Sequence, residues 1–159
     1  LRSLVGSEMC IRDSLNIIDE GPNLVINQPD EVLNSMDQWN TNHHNSSGLT
    51  QKVRESSITE SIAEKQTIEF LSKYVPKGVA PLCGNTICQD RRFLARCMPQ
   101  LESFCHYRSI DVTSIRELGK RWYFEDIDNF QKNSNHRALD DIRDSIEELR
   151  YYRKTIFKL

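Results

Sequence analysis

The chain has almost no excess charge of either sign: 21 Lys and Arg stand against 23 Asp and Glu, for a formal charge of −2. That balance excludes a global basic field of the kind that grips long nucleic acid irrespective of sequence. Any nucleic-acid partner is then short, or held by local contacts. No apolar run approaches the ~20 residues that a membrane-spanning helix needs. Leu1 to Ser14 carries charges throughout rather than the apolar centre of a signal peptide. The five cysteines, Cys10, Cys83, Cys88, Cys97 and Cys105, contain no Cys-x-x-Cys. An odd set without that spacing argues against a zinc site or disulfide framework and for a reducing, cytoplasmic setting. There is no internal repeat and no low-complexity tract. The 159 residues suffice for one domain with its own core.

What is present centres on His136-Arg137-Ala138-Leu139-Asp140-Asp141-Ile142-Arg143-Asp144. Leu139, Ile142, Ile146 and Leu149 recur at helical spacing, so one face packs. At about 3.6 residues per turn, Asp141 falls roughly 100° from the centre of that stripe and Asp140 almost opposite it. The wheel therefore predicts Asp141 held at the border of the core and Asp140 in water. A carboxylate anchored near a histidine suits metal-assisted hydrolysis, which needs oxygen ligands for a hard cation and a base for the water. An ordinary helix with acids in its first turn, where the macrodipole favours them, accounts for the same spacing.

Leu1 to Ser14 has no clear periodicity and resembles the translation of a sequencing adapter. Residues 1–14 are read as a non-native segment that fits no element of the fold, and 15–159 as the domain. Leu15 to Asp19 and Asn23 to Asn27 are extended runs flanking Glu20-Gly21-Pro22, forming either a hairpin or one bent strand. Pro29 to Met36 reads as a short helix. Asn40 to Gly48 reads as a polar loop bearing His43 and His44. Trp39, just before it, either stacks on a base or folds back onto the core.

Ser57-Ile58-Thr59-Glu60 opens a helix to about Tyr74, with Ala63, Thr67, Phe70, Leu71 and Tyr74 inward. Val79 to Leu82 reads as a buried strand, Cys83 to Thr86 as a strand-to-helix turn, and Asp90 to Met98 as a helix stopped by Pro99. His106 to Asp111 is a strand, and Thr113 to Trp122 a helix with Ile115, Leu118 and Trp122 inward. Tyr123 to Asn135 is a loop that delivers His136, and the last helix runs from about Arg137 to Lys154. Strands alternating with helices after Ser57 make the class α/β. In such sheets functional groups gather where strands end and helices begin, and Asp90 and Asp141 both lie at helix openings.

Three blocks carry a resemblance. They are Cys83-Gly84-Asn85-Thr86-Ile87-Cys88-Gln89-Asp90-Arg91-Arg92-Phe93-Leu94, His106-Tyr107-Arg108-Ser109-Ile110-Asp111-Val112, and His136-Arg137-Ala138-Leu139-Asp140-Asp141-Ile142-Arg143. Together with Met36-Asp37-Gln38-Trp39 and Tyr151-Tyr152-Arg153, and in this order, they resemble the oligoribonuclease family of DEDDh 3′-to-5′ exonucleases. The resemblance runs from about Leu15 to Leu159.

It implies a ribonuclease H-like fold, a mixed sheet flanked by helices, and a catalytic set of four acids and a histidine. Asp90 matches the third acid, Asp141 the fourth and His136 the general base. The acids would ligate two divalent ions, Mg2+ or Mn2+, about 4 Å apart. The first two acids form an Asp-x-Glu pair on the family's first strand, and no Asp-x-Glu occurs in this sequence. The family's first two strands are accordingly expected to be missing, with Leu4, Val5, Met9 and Ile11 partly filling the gap. The chain as it stands is expected not to be a competent nuclease. Thr86, Arg108 and Thr113 match a cap over the 5′ phosphate, with Thr86 and Thr113 standing where the family often has Ser. Trp39 matches an aromatic that packs on a base, and Tyr107 a residue donated across the family's homodimer. Without the resemblance, Arg108 reads as a surface ion pair and Tyr107 as a half-buried strand aromatic.

Three functions follow from these readings: an exoribonuclease that cuts the shortest oligomers, dinucleotides especially, to mononucleotides; a related exonuclease on longer RNA or DNA; and a non-catalytic oligonucleotide-binding or dimerisation module.

Overall fold

The computed structural model describes Val5, Gly6, residues 8–123, Phe130 and residues 138–157. The chain opens as a bent antiparallel hairpin. Met9–Ile11 (β2) pairs with Ile17–Glu20 (β3), and Val5–Gly6 (β1) pairs with Leu24–Val25 (β4). The bend falls at Gly21, whose N–H donates to the Glu8 carbonyl at 2.9 Å. A Cβ there would meet that carbonyl oxygen and the Phe70 ring, each at 3.0 Å, so any larger residue would need both neighbours to give way by a few tenths of an ångström. The runs around Leu15–Asp19 and Asn23–Asn27 are thus two arms of one bent strand. Their partner is the front segment, which was expected to fit no element of the fold.

Asp30–Asn34 (α1), Gln38–Ser46 (α2) and Leu49–Glu55 (α3) follow. The stretch expected to be a polar loop is helix α2. Asp37 caps it, accepting from the Asn40 N–H at 2.8 Å, and Gly48 ends it in the left-handed region at φ 70. No α2 residue is buried, so the helix carries no apolar stripe for periodicity to detect. Leu33 and Val53 pack beneath with Val25, Met36 and Leu49.

Glu60–Leu71 (α4) buries Ala63, Thr67 and Phe70 as expected. Its cap is Thr59, not Ser57, and Tyr74 lies outside the helix with its hydroxyl on Asp19. Glu64 is also buried. Its Oε1 accepts from the Gln100 and Leu101 N–H groups at 2.7 and 3.0 Å, capping Pro99–Phe104 (α6). Pro99 therefore starts a helix as well as stopping one, because its missing N–H is no loss at a first turn.

Pro81–Gly84 (β5) and His106–Asp111 (β6) run parallel, with Ile87–Cys97 (α5) and α6 in the crossover. Val79 is 59% exposed and precedes the strand in which it was expected to be buried. Val112–Trp122 (α7) turns Val112 and Gly119 inward, whereas Leu118 and Trp122 are exposed, against expectation. Ala138–Thr155 (α8) closes the fold, and Val112 packs on Tyr152 with Ile115, Leu149, Tyr151 and Ile156 around them.

The class is α/β, with antiparallel and parallel pairings both present. Among the described residues the strands form three two-stranded sheets rather than one continuous mixed sheet. The front segment pairs with β3 and β4, so no described strand joins the hairpin to β5 and β6.

Glu8 ties the hairpin to α4. As a residue it is only partly covered, but its carboxyl is enclosed. Burial pushes that carboxyl up to about 7, against the Thr67 hydroxyl, which donates to it at 3.4 Å and pulls the other way. The native state therefore keeps this proton to higher pH than the unfolded chain, which releases it near 4.5. The contribution to stability is complete below 4.5 and is lost as pH rises to about 7. Urea unfolding at about pH 4.5 and 7.5 should show wild type losing on the order of 2–3 kcal/mol more than Glu8→Gln across that interval. Parallel profiles would show that the carboxyl is solvated.

Candidate active site

The strand β5 delivers Asn85 and Thr86 to the start of α5. Thr86 sits in the left-handed region at φ 54, a costly place for a β-branched residue. Its backbone is held there from outside. The Thr86 N–H lies 3.0 Å from Asp111 Oδ1 and 3.0 Å from the Thr113 hydroxyl oxygen. Asp111 also accepts from the Thr113 N–H at 2.9 Å, capping α7. One carboxylate oxygen thereby fixes two helix openings side by side. The Thr86 and Thr113 hydroxyls lie 3.2 Å apart between them. The N–H groups of both threonines are taken up by the Asp111 carboxylate, which leaves the two hydroxyls as their free polar groups at these helix openings.

Behind them lies a polar junction. Asn85 Nδ2 donates to Glu148 Oε2 at 3.0 Å and points at the Thr113 hydroxyl at 3.5 Å. The Ser145 hydroxyl reaches Asn85 Oδ1 at 2.6 Å and the Asp141 carbonyl at 2.8 Å. Tyr152 donates its hydroxyl to Glu148 Oε1 at 2.8 Å. These bonds hold Ser145 and Glu148 of α8 against the turn that precedes α5. Asn85 and Glu148 had no role assigned from sequence. The available signal was Glu148, an acid four residues from Tyr152 within an apolar-periodic helix.

Asp90 stands in the first turn of α5. The residue is exposed, yet partial burial of its carboxyl raises that group above the usual carboxylate range, only partly offset by its own backbone N–H. On α8 the two adjacent acids are the reverse of what the wheel predicted. Asp141 is exposed; the Asp140 side chain is 30% exposed and pairs with Arg143 at 3.5 Å, which in turn pairs with Glu20. The wheel was centred on the apolar stripe alone. The side that packs also includes the ridge Asp140, Asp144, Glu148 and Tyr152, at four-residue spacing, of which the last three are buried. Asp141 has no ion-pair partner among the described residues. His136 lies outside the described residues. Among those described, no three His, Cys, Asp or Glu side chains are placed to hold a metal ion together.

The remaining residues read from sequence lie apart. Trp39 is 70% exposed, not folded onto the core, and stacks on His43 with centroids 5.2 Å apart and planes 4° from parallel. Tyr107 is 72% exposed rather than half-buried, and the Arg108 guanidinium lies over its ring, 5.2 Å from the centroid. Arg91 straps this strand, donating to the His106 carbonyl at 2.9 Å and the Ser109 hydroxyl at 3.1 Å while pairing with Glu102. Among the described residues no hydrogen bond joins Trp39, Tyr107 or Arg108 to the two threonines.

No described helix is long and apolar enough to cross a membrane. The exonuclease family RNase_T matches residues 7–149. The oligoribonuclease of Vibrio campbellii is 58% identical over 145 residues, covering 91% of this chain and 80% of the relative. That of Marinobacter nauticus is 55% identical over 150 residues, covering 94% of this chain and 83% of the relative. That of Acinetobacter baylyi is 54% identical over 145 residues, covering 91% and 79%. Matches of this extent, over the segments that build the Asn85 junction, show that the chain belongs to the oligoribonuclease family of exonucleases.

Proposed function

We propose that this fold serves 3′-to-5′ hydrolysis of very short oligoribonucleotides, dinucleotides above all, to mononucleotides in the cytoplasm. The observation that carries this reading is the Thr86–Thr113 hydroxyl pair, placed between two helix openings beside the helix of Asp90. Such a pair accepts one terminal phosphate and sets how much chain fits between it and the acids. Arg108 supplies the charge for that phosphate, and its guanidinium has no carboxylate partner among the described residues. Trp39 offers an exposed indole face to a base. Tyr107, exposed on β6, reaches the site of a second copy in a homodimer.

Asp90 and Asp141 are the carboxylates that would hold a divalent metal, magnesium or manganese. A divalent cation bound there supplies Lewis acidity and lowers the pKa of water. Two carboxylates suit one magnesium ion, which takes one or two of them beside water and substrate phosphate. They do not suit a pair of ions, and the sequence holds no Asp-x-Glu to add the missing ligands. His136 takes the proton of the attacking water, a task that suits an imidazole. Residues 15–159 carry every residue named for this reading, and the front supplies no acid pair to them. The chain as it stands binds its substrate without cutting it at an appreciable rate.

The test compares this chain with a version whose residues 1–14 are replaced by a segment carrying Asp-x-Glu on its first strand. Both are assayed on a 5′-phosphorylated diribonucleotide with magnesium, and cleavage is expected only from the second. Metal-dependent cleavage by the first chain would refute the claim about its ligands. Binding without cleavage by both would make the domain an oligonucleotide-binding module. A preference for long substrates would favour a related exonuclease.

In the version that cuts, Asp141→Asn should lower turnover about 10²-fold or more, as expected for a lost metal ligand. Asp140→Asn loses only a surface ion pair, worth ~1 kcal/mol or less. Equal losses in turnover would show that the ligand is assigned to the wrong acid.

Arg108→Ala should weaken binding of the 5′-phosphorylated dinucleotide roughly tenfold. The 5′-hydroxyl dinucleotide should bind almost as before. An equal loss for both ligands, read by calorimetry, would place Arg108 away from the phosphate.

A further inference from the structure

We infer that Asn85 and Glu148 are positioning residues that aim the Thr86–Thr113 hydroxyls at the substrate phosphate and lock the Asp141 end of α8 to them. The inference rests on the phosphate-receiving role proposed for the two threonines.

The hydrogens of Thr113 decide which way the pair points. A threonine hydroxyl has one proton and two lone pairs. The Thr113 oxygen accepts from the Thr86 N–H at 3.0 Å and lies 3.5 Å from Asn85 Nδ2. With both lone pairs engaged by N–H donors, its own proton must point elsewhere. It faces the Thr86 hydroxyl at 3.2 Å, or an anion that arrives there. Asn85 thus sets the polarity of the pair, so that donors face outward. Without it the Thr113 hydroxyl is able to turn and present a lone pair, which repels phosphate.

Asn85 does this only if its amide is held the right way round. Glu148 provides that constraint. It is 1% exposed and acceptor-only when ionised, and its Oε2 takes the Asn85 Nδ2 proton at 3.0 Å. Tyr152, itself 1% exposed, anchors the other carboxylate oxygen at 2.8 Å. The Asn85 oxygen is then left to accept from Ser145, whose hydroxyl is shared with the Asp141 carbonyl. An amide is required here because it donates on one side and accepts on the other. Aspartate would place a second carboxylate against Glu148, and alanine would leave Glu148 and Ser145 without this partner.

The test is equilibrium binding of a 5′-phosphorylated diadenosine and its 5′-hydroxyl counterpart to the full chain, with circular dichroism to confirm folding. Wild type should favour the phosphorylated ligand roughly tenfold. Asn85→Ala should cut that preference about fivefold while leaving affinity for the 5′-hydroxyl ligand unchanged. Glu148→Gln keeps an acceptor for Asn85 and should retain the preference; Glu148→Leu, of similar size, should lose it. If Asn85→Ala does not fold, the Glu148 pair decides. A folded Asn85→Ala with intact phosphate preference overturns the inference, as does an equal loss for both ligands, which marks a merely structural role. A wild-type chain that binds both ligands alike refutes the reading of the threonines, and the inference with it.

Discussion

The Asp111 carboxylate is the constraint from which the site is built. One oxygen, Oδ1, accepts from the N–H of Thr86 and from that of Thr113. The first bond holds a β-branched residue at φ 54, a conformation it would otherwise leave. The second caps α7. Because β5 and β6 pair in parallel and Gly84 lies opposite Asp111, the capping carboxylate arrives beside the turn that it has to hold. The register of one small sheet therefore decides where two helix N-termini point. A slip of one residue would turn Asp111 to the other face and release both.

Around that point the structure uses buried polar groups where an apolar core would be simpler. Glu148, Tyr152 and Asn85 form a chain of hydrogen bonds from the interior to the surface hydroxyls. Burying an ionisable side chain is costly unless its lone pairs are satisfied, and a network of this kind is valuable only when every member is in place. The return is direction: apolar packing sets distances, but only hydrogen bonds tell a hydroxyl which way to point its proton. Glu64 repeats the device elsewhere, its carboxylate capping α6 from within the core. The hairpin follows the same logic less securely, since Glu8 meets a single hydroxyl and its carboxyl is pushed up to about 7.

Much of the architecture was legible in the residues themselves. The strand His106–Asp111 and the closing helix, read to about Lys154 and found to end at Thr155, agree with the sequence reading. The misses have separate physical causes. Helix α2 carries no apolar stripe and is held by its Asp37 cap and Gly48, so periodicity passes over it. Trp122 and Leu118 follow helical spacing but face outward, because α7 packs through Val112 and Gly119. The front segment, without any periodicity, forms strands because β3 and β4 supply an edge for it to pair with.

The sequence by itself determined the α/β class, the family and the segments in which the acids and the threonines lie. The class depends on local spacing and residue type, and the family on a resemblance carried by ordered blocks of sequence, all of which a linear reading contains. Only the tertiary structure decided which of the adjacent acids faces solvent. That depends on what covers the first turn of α8, namely Arg143 bridging to Glu20 on a distant strand. It alone decided that Asn85, Glu148 and Ser145 meet. They are 60 and 63 residues apart in pairs, and no periodicity connects them. A hydrogen bond is satisfied by position in space, and spacing along the chain carries no record of it.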